Sequence, residues 1–563
     1  MVNYEGRLEL TWTNKALRLL AHDDGTYVWV SPVDFRVAEV RLLHDVAAVG
    51  EVGLTSERAA DNLLIRGDAL HALTSLAELP ELSAEYLGKV GLAYLDPPFN
   101  TQQSFLHYDD ALEHSVWLSM MRDRLLQVKR LLSPDGSVWV HLDDSEMAYC
   151  RVMMDEVFGR ENFVATVLWQ KVYSPKSTAK QLSVDQDYIH VYAKDGERWR
   201  ANSLPRSAEM DARYINPDND SRGVWKPGDL AARNFYSLGR YPITCPSGRI
   251  IPGPPRGSYY RVSEERFREL DSDGRIWWGK AGDNVPAIKR FLDDVQLGRV
   301  PQTWWPYNEV DHSQAGKKEI KALLPDLEPF STPKPERLLH RIVHIATNPG
   351  DIVLDPFVGS GTTAAVAHKM GRRWVAIERE AATMRDYAVP RLTKVVDGED
   401  AGGVTEETRW QGGGGFRVID VAPSMFEEDA GRVVLADWAI NGRLAEATAA
   451  QLGYDHSPEP PFCGRKGRTR LAVVDGLVNE AVVALLVGVL PEGELLTVCG
   501  TAVDPDARQV LREARPGSTL KKIPASLLSE YRSPRRRIVP EPVPVPVEAT
   551  QRGGTTQQPA RRR

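Results

Sequence analysis

Cysteine is scarce in this 563-residue chain. There are four, Cys150, Cys245, Cys463 and Cys499, and no two stand at a paired spacing. A disulfide framework and a cysteine-rich zinc site are therefore excluded, no metal is expected, and a reducing cytoplasm is the expected location. A surplus of positive charge is missing as well, since the formal net charge is −7. Nucleic-acid binding rests on a local basic face, so the total does not exclude it. No apolar run is long enough to span a bilayer. The longest, near Ala481 to Leu490, is short and is interrupted by Gly488, so no membrane role is expected. The first residues also lack the basic-then-apolar order of a secretory leader. At this length, with ordinary globular composition, two to four domains are expected.

The stretch that organises the rest is Leu92-Ala93-Tyr94-Leu95-Asp96-Pro97-Pro98-Phe99-Asn100. An apolar run with strand character stops at an acid and two prolines, and proline cannot donate to a sheet ladder. The chain must leave the sheet at Asp96, and open α/β sheets bind ligands at that end of their strands. A carboxylate and the Pro97 carbonyl can each accept one N–H of an exocyclic amine, while Phe99 stacks on a planar base. That leaves the amine lone pair free to attack a methyl donor, with no covalent intermediate. An Asp-Pro-Pro turn after a buried strand is the structural alternative.

Regular elements surround this stretch. Asn62 to Asp68 reads as a strand ending in Gly-Asp, where the acid is either a helix cap or a nucleotide ligand. A helix from about Ser115 to Leu132, a stop at Ser133-Pro134-Asp135-Gly136 and a strand Ser137–Leu142 give βαβ rhythm, hence a parallel sheet. His141 within that strand reads as structural, and Asp143 and Asp144 as capping residues. Asp351 to Thr363 then gives a strand, a glycine turn and a helix of small residues, followed by the strand Trp374–Glu378. Glycines admit close backbone approach, and an acid one strand later can hold ribose hydroxyls. The loop lacks the third glycine of a dinucleotide fingerprint, which points to a nucleoside without pyrophosphate. Between the halves lies a region dense in Arg, Lys and aromatics, such as Arg275-Ile276-Trp277-Trp278-Gly279-Lys280 and Thr303-Trp304-Trp305. That mixture suits phosphate contact and base stacking, although each tryptophan alone serves as well in a core.

With Asp-Pro-Pro-Phe-Asn upstream and Asp-Pro-Phe-Val-Gly-Ser-Gly-Thr downstream, the chain resembles the amino-methylating DNA methyltransferases of the β class, over about residues 60 to 395. Asn62 to Asp68, Trp169-Gln170-Lys171-Val172-Tyr173-Ser174-Pro175 and Thr332-Pro333-Lys334-Pro335-Glu336 resemble the modification subunits of type III restriction systems. The resemblance implies a Rossmann-like class I α/β methyltransferase fold with permuted motif order, and S-adenosylmethionine as cofactor. Asp96, Pro97, Pro98, Phe99 and Asn100 carry over as the catalytic motif. Asp355, Phe357, Gly359, Gly361 and Thr362 match the cofactor loop, with Glu378 as ribose ligand, Lys334 in the segment leading into the cofactor-binding helix, and Asp68 at the adenine end. Adenine N6 is the implied acceptor, because cytosine-N4 relatives usually carry Ser at the Asp96 position; many relatives have Tyr where Phe99 stands. A solitary DNA methyltransferase, a cytosine-N4 or RNA base methyltransferase and a silent DNA-binding scaffold are the alternatives. The implied partners are duplex DNA, a second copy of the chain and a helicase-nuclease restriction subunit.

The organisation expected on these grounds is an N-terminal module (1–55), a catalytic half (56–200), a target-recognition insert (201–327) and a cofactor half (328–395). An acidic linker (396–429) with a glycine hinge at 412–415, a small C-terminal α/β module (430–531) and a disordered basic tail (532–563) complete it. In the C-terminal module, strands are expected at Arg470–Val474, Val482–Val489 and Leu495–Val498.

Overall fold

A computed structural model describes residues 8–523, apart from 22–26, 33, 35–36, 38, 55–59, 102, 105–108, 111–112, 176, 178, 207, 295–297, 329, 430–431, 436–438 and 440–441. The tail from Arg532 lies outside the described residues. The chain forms two compact units. The first takes in residues up to Leu43, Gly50–Phe416 and Asp420–Ala436; the second takes in His44–Val49, Arg417–Ile419 and the chain from Asp437.

In the first unit, eight neighbouring strands of a central sheet carry the architecture. In chain order they are β1 (Asn62–Arg66), β2 (Val90–Leu95), β3 (Leu132–Leu142), β4 (Phe163–Gln170), β5 (Gln186–Ala193), β6 (Trp304–Trp305), β7 (Ile352–Asp355) and β8 (Arg373–Glu378). They lie in the order β6-β4-β5-β3-β2-β7-β8-β1. Five of them, β1, β8, β7, β2 and β3, run parallel, and β5 and β4 join antiparallel. This is the expected α/β sheet with permuted motif order. The parallel strands β1, β2 and β7 are apolar and buried through their middles, as strands covered on both faces are. β7 comes from late in the chain yet inserts beside β2, aligning Leu354 with Ala93. The acid ending each strand therefore emerges at the same edge.

Five helices matter to the site: α1 (Ala69–Glu78), α2 (His114–Leu131), α3 (Met147–Phe158), α4 (Glu336–Ala346) and α5 (Thr362–Lys369). In α4 the apolar residues Leu338, Leu339, Ile342, Val343 and Ile345 fall on one buried stripe at helical period. All eight residues of α5 are buried, and its alanines and threonines let it lie close against its neighbours.

Several local expectations are corrected. β3 is already paired at Leu132, opposite Val90, and resumes at Ser137, opposite Leu92, while Ser133–Gly136, the expected stop, bulge out of the ladder between those two pairs. Gly136 permits this, since a Cβ there would meet the Val90 carbonyl oxygen at 2.5 Å. Asp143 accepts from the Ser145 amide (2.8 Å) and shapes the turn, while α3 begins only after Glu146. Residues 396–429 are not a bare linker. They carry a short helix (Thr405–Thr408) and a strand (Gly415–Val421), and they bury Val404 and Phe416.

The insert is built on the antiparallel strands Trp225–Asp229, Ile276–Trp277 and Ala287–Phe291, with a core of Leu230, Tyr241, Ile243, Tyr260, Phe267, Leu270 and Ile276. Much of its aromatic content is therefore structural: Trp225, Tyr260 and Trp305 are buried. It also contains helices Glu264–Ser272 and Ser313–Leu323 that its strand-and-loop texture did not announce.

The second unit has a five-stranded sheet, Asp455–Glu459, Phe462–Lys466, Thr469–Val478, Leu495–Val503 and Thr519–Lys522, in that order. The strand expected at Val482–Val489 is a helix, Glu480–Gly488, capped by Asn479, whose side-chain oxygen accepts from the Val482 amide (3.1 Å). A continuous apolar run does not distinguish a buried helix from a buried strand; the cap does. Among the described residues, no helix is long and apolar enough to cross a membrane.

Candidate active site

The C-terminal edge of β2, β7, β8 and β1 opens into one cleft of about 260 Å³. Asp96, Pro97, Pro98 and Phe99 form one wall, continuing from β2. Asp355, Phe357, Gly359 and Thr362 line another, and Asp68, Lys334 and Glu378 complete the set. Of the residues singled out in the sequence, only Asn100 and Gly361 do not line it.

Lys334 reaches across from the segment before α4. Its Nζ lies 2.7 and 2.5 Å from the two Asp96 carboxylate oxygens, and 5.0 Å from the centroid of the Phe99 ring. Prolines 333 and 335 flank it and stiffen the backbone. Gly316 of the helix Ser313–Leu323 packs directly on the Pro333 and Lys334 backbone, where a Cβ would not fit. The Pro98 carbonyl accepts from Trp117 Nε1 of α2 (2.7 Å), which pins the turn. Asn100, expected within the catalytic motif, is buried at φ +62° and donates to Glu146 Oε1 (2.6 Å), so it closes the loop from behind.

Behind Phe99 stands His141 of β3. The two rings stack at 5.8 Å between centroids and 25° between planes. Tyr94, which also lines the cleft, places its hydroxyl 2.9 Å from His141 Nδ1, and Asp187 lies 3.2 Å from Nε2. Burial, then the Lys334 charge, keeps the imidazole below its ordinary range.

The opposite wall is suited to a nucleoside. Gly359 (φ +51°) and Gly361 (φ +86°) turn the chain from β7 into α5, and a Cβ on Gly359 would sit 3.4 Å from the Phe330 ring. Gly361 caps α5 and sits against Ala388 and Arg391, so it shapes the loop from outside the cleft. Glu378 Oε2 accepts from the Gly359 amide (2.9 Å) and Oε1 from the Glu380 amide (2.8 Å). Asp355 accepts from the Phe357 amide (2.9 Å). Burial pushes both carboxyls up to about 7. Asp68 caps α1 through the Leu70 amide (2.8 Å), as the capping alternative expects, and it also lines the cleft, paired with Arg124 (2.6 Å). Burial alone would raise the Asp68 carboxyl, but Arg124 and its neighbours outweigh it and hold it below the usual range.

Beneath α5, Glu336 takes Lys369 (2.8 Å) on one oxygen and Arg391 (2.8 Å) on the other, and Arg391 continues to the Thr362 hydroxyl (2.8 Å). All three charged groups are buried. Glu336→Ala should cost about 3–5 kcal/mol, because it leaves two buried cations short of a partner. Denaturant unfolding checks this, and a loss below 1 kcal/mol would refute the cluster's role.

Sequence reasoning missed Tyr27, Tyr94, Arg124, Phe330, Arg379 and Thr383, all of which line the cleft. Tyr27 comes from the N-terminal hairpin and accepts from Arg379 Nη1 (3.1 Å), giving that module a place at the site. Arg379 directly follows Glu378, a signal available in the sequence; Arg124 and Phe330 carried none.

The geometry agrees with what comparison with known proteins finds. Residues 90–389 match the family model N6_N4_Mtase, described as DNA methylase. The chain is 32% identical over 447 residues to the probable type III restriction-modification enzyme HindVI Mod subunit of Haemophilus influenzae, covering 69% of this chain and 57% of that protein. It is 30% identical over 343 residues to the StyLTI Mod subunit of Salmonella typhimurium, covering 55% of this chain and 50% of the relative. It is 29% identical over 317 residues to the type II methyltransferase M.EcaI of Enterobacter cloacae, covering 54% and 66%. The chain thus spans half to two thirds of the length of these curated relatives. With more than half of its residues inside the family model, and both motif loops meeting in one cleft, the chain belongs to the DNA methylase family.

Proposed function

We propose that the protein transfers a methyl group from S-adenosylmethionine to the N6 amine of an adenine flipped out of duplex DNA, as the modification component of a restriction-modification system. The observation that carries the reading is the meeting, in one cleft, of the Asp96–Phe99 turn and the Gly359 loop with its acid Glu378. The wall fits the cofactor: the turn at Gly359 takes a left-handed φ of +51° with no side chain towards the cleft, and Glu378 offers acceptor oxygens for ribose hydroxyls. Asp68 and Phe357 would hold the adenine end. When bound, S-adenosylmethionine supplies an electrophilic methyl group.

The chain's own groups do the rest. Asp96 and the Pro97 carbonyl take the two N–H bonds of the target amine and hold its lone pair outward. Phe99 stacks on the flipped base and offsets part of the few kcal/mol that extrusion costs. Lys334 keeps the Asp96 carboxylate aimed into the cleft. The acid at position 96 favours adenine over cytosine. The names of the HindVI and StyLTI relatives, Mod subunits of type III restriction-modification enzymes, support a modification subunit that works with a restriction subunit; a homodimer acting in the cytoplasm belongs to the same proposal.

Incubation with labelled S-adenosylmethionine and either duplex DNA or RNA tests this directly. Label should enter DNA adenine; entry into RNA alone, or into neither, would overturn the reading.

Glu378 adds a pH signature. Hydroxyl donors bind a carboxylate better than a carboxylic acid, and this one is held up to about 7 in the free protein. Cofactor affinity should therefore rise as pH climbs from 6 to 8, and Glu378→Gln should lose most of that rise. The sign in the free protein is the reverse: it retains a proton that the unfolded chain has released, so its stability falls as pH climbs towards 7. Glu378→Ala should weaken the cofactor by roughly 1.5–3 kcal/mol in a calorimetric titration. Unchanged affinity would move the cofactor elsewhere.

A further inference from the structure

We propose that His141 is a positioning residue for this reaction, its imidazole being the platform that fixes the plane of Phe99 against the target base. The inference rests on the methyltransferase reading above. His141 is fully buried and is enclosed by three aromatic rings: Phe99 stacked at 5.8 Å, Trp169 edge-on at 5.4 Å and Tyr94 edge-on at 6.3 Å. Both ring nitrogens are in use. Nε2 faces the Asp187 carboxylate and so carries the proton, which leaves Nδ1 to accept from the Tyr94 hydroxyl. A half-turn of the ring would break both bonds, so the imidazole has one orientation. Asp187 is itself fixed by Lys171 at 2.5 Å.

A satisfied core histidine would account for the hydrogen bonds, but not for what they support. Apolar side chains fill such a space at less cost than a buried acid and imidazole, so the polar set is a device for orientation. What it orients are two residues that line the cleft. Phe99 lies on the ring, and Tyr94 stands near the end of β2, two residues before Asp96. A displaced imidazole therefore shifts the stacking ring and the catalytic strand together. Misplacement of a reacting group by about 1 Å can cost about two decades in rate.

The test uses the full chain, S-adenosylmethionine and two duplexes of one sequence, one with the target adenine, on which transfer is read, and one with 2-aminopurine in its place, on which flipping is read by fluorescence. His141→Leu should slow single-turnover transfer about tenfold or more and change the fluorescence of the flipped 2-aminopurine, with cofactor and duplex affinities within about threefold. His141→Phe, which restores a flat ring but neither hydrogen bond, should recover only part of the rate. Normal transfer and fluorescence in His141→Leu would overturn the proposal. Should that variant lose cofactor binding through misfolding, Asp187→Asn decides, because it leaves the imidazole and removes only the charge that anchors it. At least a threefold slower transfer at unchanged cofactor affinity is expected, and an unchanged rate overturns the proposal. A wild-type protein that neither binds S-adenosylmethionine nor methylates DNA would fail the function reading instead.

Discussion

Asp96→Ala should reduce methyl transfer by roughly two decades or more while cofactor affinity stays nearly intact, as expected when one preorganised polar contact to a transition state is removed. The carboxylate directly follows β2, facing the place where an amine would bind, and the glycine loop that would hold the cofactor follows β7. The Lys334 contact complicates the experiment and also sharpens it. Asp96→Ala leaves the ammonium of Lys334, only 10% exposed, without its acid partner, and that loss can cost stability as well as rate. The double variant Asp96→Ala/Lys334→Met removes the stranded cation. Stability should return in the double variant and activity should not, which separates chemistry from folding. Near-native turnover in either variant would remove Asp96 from the mechanism.

Exchange of the insert, residues 225 to 305, for that of a relative with a different site should move the methylated sequence with it. Both halves of the sheet are committed to the cleft, so base reading falls to the insert. Its structure narrows the contact surface. Lys289 is buried against Asp218 (2.5 Å) and Asp220 (2.8 Å), and Arg275 is paired with Asp294 (2.6 Å), so these are scaffold residues. Arg233, Arg240, Arg256 and Lys280 are exposed. Arg240 lies 4.6 Å from the Tyr259 ring centroid, beside the exposed Phe235. Each such cation that meets a phosphate should lower affinity for all sequences and reduce the salt slope by about one when removed. One that reads a base edge should cost about 1–3 kcal/mol at a single position. An active chimera that keeps the original site would place recognition elsewhere.

The sheet was legible because its strands are apolar runs ended by residues that cannot continue a ladder: Asp96-Pro97-Pro98, and Asp355-Pro356 before the glycines. The sequence also carried the order of the two motifs, and with it the permuted sheet. It did not carry the cross-chain pairs. Lys334 on Asp96, Arg124 on Asp68 and His141 behind Phe99 join segments far apart in the chain, and no local pattern marks such a partner. The insert misled in a different way. Its aromatics and bases have the composition of a nucleic-acid surface, yet a small antiparallel domain needs tryptophans and tyrosines for its own core. Only exposure separates the two uses.

Mapping of methylated bases across the genome, in cells with the gene, without it, and with Asp96→Ala in its place, tests the central claim most directly. N6-methyladenine should occupy one recurring sequence when the native gene is present, and be absent from that sequence in the other two strains. The same methylation pattern in all three strains, or N4-methylcytosine in place of N6-methyladenine, would contradict it.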